Sequence, residues 1–504
     1  MSAEPDLLLG LDAGTSVVKA ALFDRAGREI ASSQRPTHVH SPRSGWMEAN
    51  MDEIWSVASA VIHELVTHAG ADRIAAVGLT GNMVGAWLID AKGRPVRTAI
   101  LWNDGRAQSV IDRLSAEKPD FMRTIFRSSG SVMQQGCTLP VVRWLLDHEP
   151  ETLELTAHVL CCKDWLRFCL TGDIAMDPTE AAVLPGDTRN RTFSEAMFEW
   201  LDVGSMRGLF PAARASDAWA GSVTSSAAEQ SGLRAGTPVV TGVGDVPASL
   251  LGAGAVRAGE ACVVLGTTCL TSVVFDQPTF EPPDVGLLFT LPGAGWARVM
   301  ATVAGTTNLD WFVDCFYPAE RAALSSAELY VRLESDAATA GAAGLIYHPY
   351  LSEAGIIAPI VEPRARAQFS GLSPSHTRAD LLCAVYQGVA LSIRDCIAAM
   401  DSTSVESVVL GGGGARSAFW SQMIADCLGV EVRVPDGREF GAKGAALLAA
   451  TALGWYHSPR DAAALTLRVG RVHHPEPSTR SEWDERYRTF VNLRDAMLYA
   501  QAHL

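Results

Sequence analysis

The sequence predicts an α/β protein made of two duplicated halves. The first observation is an internal repeat, because residues Gly14 to Asp24 align without a gap with residues Gly266 to Asp276, 252 positions later in a chain of 504 residues. Each copy combines a Gly-Thr turn with a β-branched run, which is typical of a β-hairpin. The second observation is the length, since one hydrophobic core rarely serves so long a chain. We therefore expect two domains that open with the same hairpin, residues 1–247 and residues 248–504.

Composition indicates an ordinary globular protein. Hydrophobic residues make up 48% of the chain and charged residues 19%, which is usual for a large α/β protein. The net charge of −15 disfavours nucleic acids and anionic membranes as partners, because both would repel the protein. The ten cysteines include no Cys-x-x-Cys pair, so we expect buried reduced thiols rather than a zinc site. The N-terminus shows no signal-peptide pattern and no apolar run approaches ~18 residues, so we expect a cytoplasmic protein without a membrane partner.

The N-terminal half begins with a predicted three-stranded sheet. Leu7 to Asp12 and Val17 to Phe23 are the expected hairpin strands, and Arg28 to Gln34 is the expected third strand. Asn50 is a favourable N-cap for a following amphipathic helix. Ile74 to Thr80 is an apolar run of the kind that forms a buried strand.

Polar and aromatic residues follow the predicted strands of this half. Asn82, Met83 and Val84 come after the run that ends at Thr80, and Trp102 and Asp104 follow a second strand end. Ligands of open α/β sheets bind outside such ends. A polyhydroxy compound is recognised by an aromatic face with amide and carboxylate partners, so these loops are candidate substrate-binding segments. The alternative for each residue is structural: a turn asparagine, a cap aspartate or a packed tryptophan.

The first Gly-Thr turn is a candidate phosphate-binding element. Gly14, Thr15 and Ser16 offer backbone N–H groups beside hydroxyl groups, and such turns cradle phosphates. Lys19 can reach an anionic oxygen, and Asp12 can hold a cation that bridges the phosphate oxygens through water. A single Gly-Thr turn between strands is common, so the argument depends on the second copy.

The second copy lies in the C-terminal half, at Gly266, Thr267 and Thr268. We expect the two hairpins to face each other and to clamp one polyphosphate. Further along, Val408 to Ser417 is predicted to be a buried strand, a four-glycine turn and a helix start capped by Ser417. Such a turn lets a base or a sugar approach the backbone closely. Its spacing matches neither a Rossmann fingerprint nor a P-loop, which disfavours dehydrogenases and P-loop kinases.

Asp245 is an acidic residue alone among small residues, at the end of an apolar run in the middle of the chain. In a duplicated protein this position lies where the halves meet. The alternative for Asp245 is a helix N-cap.

In combination these motifs resemble those of the FGGY carbohydrate kinases, sugar and polyol kinases of the actin-like ATPase superfamily. The resemblance covers nearly the whole chain, in order. Its segments are Asp12 to Lys19, Trp102 to Arg106, Lys163 to Gly172, Gly266 to Thr268, Gly411 to Ser417, and Phe369 to Leu372 followed by Asp380 to Gln387. The last of these matches is the most specific.

The resemblance implies two duplicated actin-like ATPase (ribonuclease H-like) domains flanking a deep cleft, with a sugar-binding N-terminal side and a nucleotide-binding C-terminal side. It implies a kinase with ATP and Mg²⁺ as cofactors, a sugar or polyol as substrate, and a homodimer as the first assembly to test. Asp245 corresponds to the catalytic aspartate, and Asp12 and Asp245 to Mg²⁺ ligands, partly through water. Ala248 to Gly254 is the candidate hinge. The implied ATP-binding residues are Gly14, Thr15, Ser16, Lys19, Gly266, Thr267, Thr268, Gly305, Gly412, Gly413, Gly414 and Ser417.

Departures from the family pattern leave the substrate open. Val141 stands where the first family signature usually has lysine, and Asn82-Met83-Val84 replaces the Gln-Met-His of xylulokinases. Pentuloses such as xylulose, L-xylulose or ribulose remain candidates, as do C4–C5 polyols such as erythritol. The alternative function is a nucleotide-switch ATPase like actin or Hsp70, which needs no sugar. A sugar-binding regulator with a decayed kinase fold is disfavoured, because the phosphate turns are present.

Overall fold

The protein is described by a computed structural model that covers residues 5–341, 344–400 and 405–502. Within these ranges the chain forms 20 strands and 18 α-helices. The strands are β1 Leu7–Ala13, β2 Val17–Phe23, β3 Glu29–Pro36, β4 Glu48–Ala49, β5 Ile74–Gly81, β6 Trp87–Ile89, β7 Ala99–Ile100, β8 His158–Leu160, β9 Trp219–Ser222, β10 Pro238–Val240, β11 Val243–Gly244, β12 Glu260–Leu265, β13 Cys269–Phe275, β14 Leu287–Thr290, β15 Trp296–Thr302, β16 Ile346–His348, β17 Gln368–Ser370, β18 Ser407–Gly411, β19 Glu431–Pro435 and β20 Val469–His473. The α-helices are α1 Met51–Ala69, α2 Gln108–Glu117, α3 Phe121–Ser129, α4 Thr138–His148, α5 Pro150–Leu155, α6 Cys162–Thr171, α7 Pro178–Ala181, α8 Glu195–Trp200, α9 Ser225–Ser231, α10 Asp245–Ala253, α11 Thr307–Phe316, α12 Pro318–Ala323, α13 Ser326–Thr339, α14 Arg378–Ala399, α15 Ala418–Leu428, α16 Phe440–Ala452, α17 Pro459–Thr466 and α18 Arg480–Ala502.

Two seven-stranded sheets, one in each half, repeat the same strand pattern. In the first sheet β3, β2 and β1 are antiparallel neighbours, and β5 and β10 continue the sheet in parallel. In the second sheet β15, β13 and β12 are antiparallel, and β18 and β19 continue in parallel. The predicted duplicated α/β fold is therefore confirmed, and the repeated hairpins are the matching pairs β1–β2 and β12–β13.

The strands and the helix cap that were predicted for the N-terminal half are present in the structure. The predicted third strand is β3, and the predicted buried strand is β5. Asn50 caps α1, because its side chain accepts hydrogen bonds from the backbone N–H groups of Asp52 and Glu53 at 3.0 and 3.1 Å.

Helices α10 and α16 form a tightly packed layer on the first sheet. A Cβ atom placed on Gly10 of β1 or on Gly78 of β5 would lie 1.9 Å from a carbonyl oxygen of α16. One placed on Gly252 of α10 would lie 1.9 Å from the carbonyl oxygen of Phe440. Helix α16 belongs to the C-terminal part of the chain, so the two halves interlock at this layer.

This packing corrects one expectation. The Gly/Ala-rich segment Ala248 to Gly254, predicted as a hinge, lies in α10 and its C-cap and is largely buried. Small residues serve here for close approach between helices, and not for backbone flexibility. The expected domain boundary at residues 247 and 248 also falls inside this helix.

The core of the C-terminal half surrounds α14. By length and composition α14 is apolar enough to cross a membrane, but 78% of its most apolar window is buried inside the protein. It packs against α11, α13, α15 and β16, so it is the central helix of this core. All ten cysteines are free thiols, and eight of them are buried.

Candidate active site

Three parallel strands of the first sheet end side by side. β1 and β5 are in register through Asp12 and Thr80, and β11 pairs with the same end of β5. The loop after β5 is tied to β1, because the backbone N–H and the Nδ2 group of Asn82 both donate to the carbonyl oxygen of Ala13, at 2.9 and 3.1 Å. The predicted residues Asp12, Asn82 and Asp245 therefore lie at one carboxyl edge of the sheet.

Asp245 is the first residue of α10, directly after β11. The N-cap position is Gly244, whose N–H donates to Thr179 Oγ1 at 3.0 Å. Asp245 Oδ1 accepts a hydrogen bond from the N–H of Val246 at 2.8 Å. Burial, and then the negative charge of Asp12, raise the pKa of Asp245 to about 7. Asp245 is therefore not the N-cap of its helix.

Asp12 is the second carboxylate of this edge. Burial raises the pKa of Asp12 to about 6, although Lys19 acts in the opposite direction. Its Oδ2 atom lies against the start of α16, where a Cβ atom on Gly441 would be only 2.3 Å away. Only glycine leaves room for the carboxylate at this helix start.

Two carboxylates with raised pKa values meet at this edge, and Lys19 offsets the negative charge of Asp12 only in part, so the pair favours a further positive charge. A divalent cation supplies one, and Mg²⁺ in phosphate sites is bound by one or two carboxylates together with phosphate oxygens and waters. The donor set of Asp12 and Asp245 fits this pattern. The described residues contain no cluster of three or more acidic, histidine or cysteine ligands.

The first Gly-Thr turn is tied to the loop of Trp102, and the neighbouring Lys19 contacts the C-terminal half. Trp102 Nε1 donates to Thr15 Oγ1 at 2.9 Å, and the Trp102 side chain is 41% exposed. Lys19 forms an ion pair with Glu439 at 3.1 Å. Since Glu439 precedes α16, this pair connects the two halves beside Asp12.

The second Gly-Thr turn, Gly266 to Thr268, is supported by the segment that starts α11. The N–H of Thr306 donates to the carbonyl oxygen of Gly266 at 2.8 Å, and Thr307 Oγ1 donates to that of Thr267 at 2.8 Å. A Cβ atom on Gly305 would lie 2.3 Å from the oxygen of Thr267. Gly305 therefore packs under this turn, while the Thr267 and Thr268 residues are exposed.

The glycine-rich turn after β18 lines a cavity of about 770 Å³ that also includes Asp12 and Lys19. Gly412 and Gly413 line this cavity, which is therefore shared by the two halves. Gly414 instead packs on the Leu265 side chain. Ser417 caps α15, with its hydroxyl oxygen accepting from the N–H of Trp420 at 2.9 Å. Four residues of this segment are predicted to bind ATP. Gly412 and Gly413 line the cavity, and Gly414 and Ser417 do not.

Asp104 lies in a buried ion-pair network. It has no exposed surface, and its oxygens accept hydrogen bonds from the N–H of Met47 at 2.6 Å and from the Arg106 guanidinium at 2.8 Å. Arg106 also pairs with Glu48 at 2.6 Å and stacks 4.0 Å above the Trp46 ring. Asp104 therefore holds the loop that carries Trp102 and presents no free oxygen to a ligand in this structure.

The loop of Asn82, Met83 and Val84 is buried, and its shape depends on a residue that the sequence analysis missed. Val84 has a φ of 54°, a left-handed conformation that is strained for a β-branched side chain. Its N–H donates to Glu180 Oε2 at 3.0 Å. Glu180 is fully buried, and burial raises its pKa to about 8. No local pattern in the sequence indicates this contact across 96 residues.

Met83 closes the opposite side of the loop. A Cβ atom on Gly244 would lie 2.4 Å from the sulfur of Met83, so the loop packs directly beside Asp245. Thr80 Oγ1 and Asn82 Oδ1 are buried and have no hydrogen-bond partner among the described residues. Each of these two oxygen atoms can therefore accept a hydrogen bond from a hydroxyl group of a ligand.

The arrangement combines two carboxylates of raised pKa, a turn with hydroxyl groups, a lysine and a cavity shared by both halves. This arrangement suits phosphoryl transfer, whose catalysis consists mainly of positioning the reactants and stabilising charge.

Comparison with known proteins agrees with this interpretation. The N-terminal domain model of the FGGY family of carbohydrate kinases matches residues 7–252, and the C-terminal domain model of the same family matches residues 261–453. Together they cover most of the chain.

Individual relatives match over nearly their whole length. The erythritol kinase of Brucella abortus (strain 2308) is 32% identical over 515 residues, covering 99% of this chain and 97% of that protein. The L-xylulose/3-keto-L-gulonate kinase of Escherichia coli (strain K12) is 30% identical over 500 residues, 97% of each. The crystal structure of xylulose kinase from Rhodospirillum rubrum superposes with a TM-score of 0.86 at 29% identity, covering 99% of this chain and 100% of that chain. The predicted two-domain, actin-like fold is thus shared with sugar kinases.

Proposed function

Because this chain belongs to the FGGY family of carbohydrate kinases, we propose that it transfers the γ-phosphoryl group of ATP to a hydroxyl group of a pentulose or a C4–C5 polyol. The two relatives compared above are named for erythritol and for L-xylulose/3-keto-L-gulonate, at 32% and 30% identity. Because the two relatives are almost equally similar to this chain, the comparison supports a class of acceptors and does not single out one compound.

The observation that carries the mechanism is the position of Asp245 at the edge shared with Asp12. In this proposal one oxygen of Asp245 accepts the proton of the acceptor hydroxyl while that hydroxyl oxygen bonds to the γ-phosphorus and the bond to ADP breaks. The raised pKa of Asp245 supports this role, because a base that titrates near neutral pH removes a proton more effectively than an ordinary aspartate.

Asp12 and Asp245 would hold Mg²⁺, partly through water. When bound, the ion neutralises charge on the phosphate oxygens. Gly14, Thr15 and Ser16 on one side, and Gly266, Thr267 and Thr268 on the other, would bind the phosphates through N–H and hydroxyl groups. Lys19 would exchange its contact with Glu439 for a phosphate oxygen.

The acceptor would bind at the loops of the N-terminal half. Trp102 offers a partly exposed aromatic face, and Asn82 Oδ1 offers an unused acceptor. Met83 and Val84 are apolar, so the loop after β5 carries no charge and favours a neutral acceptor. Asp104 is proposed to act by positioning the Trp102 loop rather than by direct contact.

The first test is the Asp245→Asn variant. We expect kcat to fall by about 10²–10⁴-fold, the usual contribution of a general base, with the affinity for a non-hydrolysable ATP analogue little changed. Asp72→Asn is the matched control, because the Asp72 side chain is 79% exposed. An Asp245→Asn enzyme with near-normal acceptor-dependent turnover would refute the mechanism.

The pH dependence gives a second readout of the same variant. In the unliganded enzyme Asp245 is protonated below its pKa of about 7, so kcat/KM at subsaturating substrates should rise with pH and level off above about pH 7. The ascending limb should be absent in any residual activity of Asp245→Asn.

A panel of tetritols, pentitols and pentuloses in a coupled ADP assay tests the acceptor class. A kinase releases ADP only with an acceptor. ADP release that is independent of every acceptor would favour the nucleotide-switch ATPase of the actin or Hsp70 type.

A further inference from the structure

A second cavity lies beside the nucleotide cleft. It has a volume of about 690 Å³ and shares residues 437–440 with the cavity of the glycine-rich turn. One wall comes from β2, β3 and the turn between them, including Ser32, Ser33 and Gln34. The other wall comes from the segment before α16, the start of α16, and Arg468. The cavity is therefore formed by both halves and contains none of the predicted acceptor or phosphate residues.

Lys443 on α16 is the unusual group in this cavity. Its side chain lines the cavity although the residue is only 6% exposed. Its ammonium group donates to the carbonyl oxygen of Thr466 at 2.9 Å, and it forms no ion pair with any described residue. Burial, and then the positive charge of Arg468, lower the pKa of Lys443 to about 8. A buried cation without a counter-charge is costly unless a ligand supplies one.

The other charged groups around Lys443 leave a positive excess. Arg438 and Arg468 line the same cavity, are exposed, and have no ion pair within the described ranges. Arg28 is paired with Asp24 at 2.7 Å. Of the acidic groups, Glu439 is paired with Lys19, and Glu29 accepts a hydrogen bond from Ser32. Asp436, which is exposed, is the remaining acidic residue of the lining.

We propose that this cavity binds a small phosphate-bearing anion, with Lys443 as its buried counter-charge and Arg438 and Arg468 at the mouth. Lys443, Arg438 and Arg468 line a space that also contains the side-chain amide of Gln34, a donor set suited to a phosphate dianion. The hydroxyl groups of Ser32 and Ser33 also line this space but donate to Glu29 and Glu64. The volume exceeds that of phosphate alone, so a phosphorylated small molecule fits the cavity.

Occupancy of this cavity is coupled to the nucleotide site. The ligand would contact both halves, and residues 437–440 belong to both cavities. If the anion changes the affinity for ATP by some factor, then ATP changes the affinity for the anion by the same factor, because the coupling between two binding sites is reciprocal. Residues 437–440 are therefore the route by which a bound anion would affect the nucleotide cavity.

The test is a binding measurement with inorganic phosphate on the full-length protein, with the nucleotide cleft saturated by a non-hydrolysable ATP analogue and Mg²⁺. Sodium chloride at equal ionic strength is the reference. We expect saturable phosphate binding by calorimetry that falls at least tenfold in Lys443→Met, while analogue affinity changes less than twofold. Lys92→Met, at an exposed lysine of a distant turn, should bind phosphate like the wild type.

A second variant and further measurements on the wild type make the test decisive. Lys443→Arg retains the charge and should retain phosphate binding even if Lys443→Met folds poorly. In the wild type, phosphate should raise the pKa of the Lys443 ammonium group, measured by NMR. Tighter binding of glycerol 3-phosphate than of phosphate identifies a phosphorylated metabolite as the ligand. Phosphate binding that is absent in the wild type, or equal in wild type and Lys443→Met, shows an adventitious ion only and overturns the proposal.

Discussion

Asp12 and Asp245, at the carboxyl edge of the first sheet, are buried in surroundings that oppose their ionisation. The pKa values of Asp245 and Asp12 are raised to about 7 and about 6, so between about pH 4 and pH 7 the folded protein binds more protons at these groups than the unfolded chain does. The free energy of unfolding that these groups contribute therefore decreases as pH rises through this window. Burial of these carboxyl groups thus lowers the stability of the folded protein at neutral pH.

A substitution of Glu180 tests whether this residue positions the acceptor loop. In Glu180→Ala the N–H of Val84 loses its buried acceptor, which costs about 1–3 kcal/mol and releases the left-handed conformation at Val84. We expect KM for the acceptor to rise about tenfold, with KM for ATP unchanged, in steady-state kinetics of both substrates.

Glu180→Gln is the matched variant, because its side-chain carbonyl still accepts a hydrogen bond. It should retain most of the acceptor affinity. If Glu180→Ala instead raises only KM for ATP, or if both variants behave alike, then Glu180 does not position the acceptor loop.

At the scale of elements, glycine permits the layer of α10 and α16 on the first sheet. Gly10 and Gly78 bring the sheet against α16, and Gly252 and Gly444 bring α10 and α16 together. The start of α10 carries Asp245 and the start of α16 abuts Asp12. The same close packing that joins the halves thus fixes the distance between the two carboxylates.

Gly444→Ala tests this layer. In an ordinary helix interior the change stabilises by up to about 1 kcal/mol, but here the new Cβ would lie 1.9 Å from the carbonyl oxygen of Ala248. We expect the free energy of unfolding to fall by about 1–3 kcal/mol and the melting temperature to fall with it, measured by scanning calorimetry.

Gly208→Ala is the control, because an added Cβ there meets no atom within 4 Å, and its melting temperature should be unchanged. A Gly444→Ala protein as stable as the wild type would show that α10 can shift freely on α16.

At the scale of the whole molecule, the two halves contact each other beside the cavity that holds the glycine-rich turn. The Lys19–Glu439 ion pair crosses between them, and α16 is anchored on the N-terminal sheet. Because residues 248–253 are helical and packed on α16, any closure of the two halves is expected to occur elsewhere than by bending in this segment. Closure excludes water, which would otherwise compete with the acceptor for the phosphoryl group.

Closure predicts compaction in solution. Small-angle scattering should show a smaller radius of gyration when a non-hydrolysable ATP analogue and a bound acceptor are both present than with either alone. A radius that is identical in all states would contradict a closing cleft.

The residues alone were sufficient for the duplicated α/β plan, the two hairpins with their Gly-Thr turns and the caps at Asn50 and Ser417, because a hairpin repeat and a cap are signals carried by a few neighbouring residues. Tertiary contacts decided the rest. That Ala248 to Gly254 is a helix, that Asp104 is closed in an ion pair with Arg106, and that Glu180 holds Val84 all follow from groups far apart in the chain. Burial and a neighbouring charge set the pKa of Asp245, and neither is visible until the chain folds.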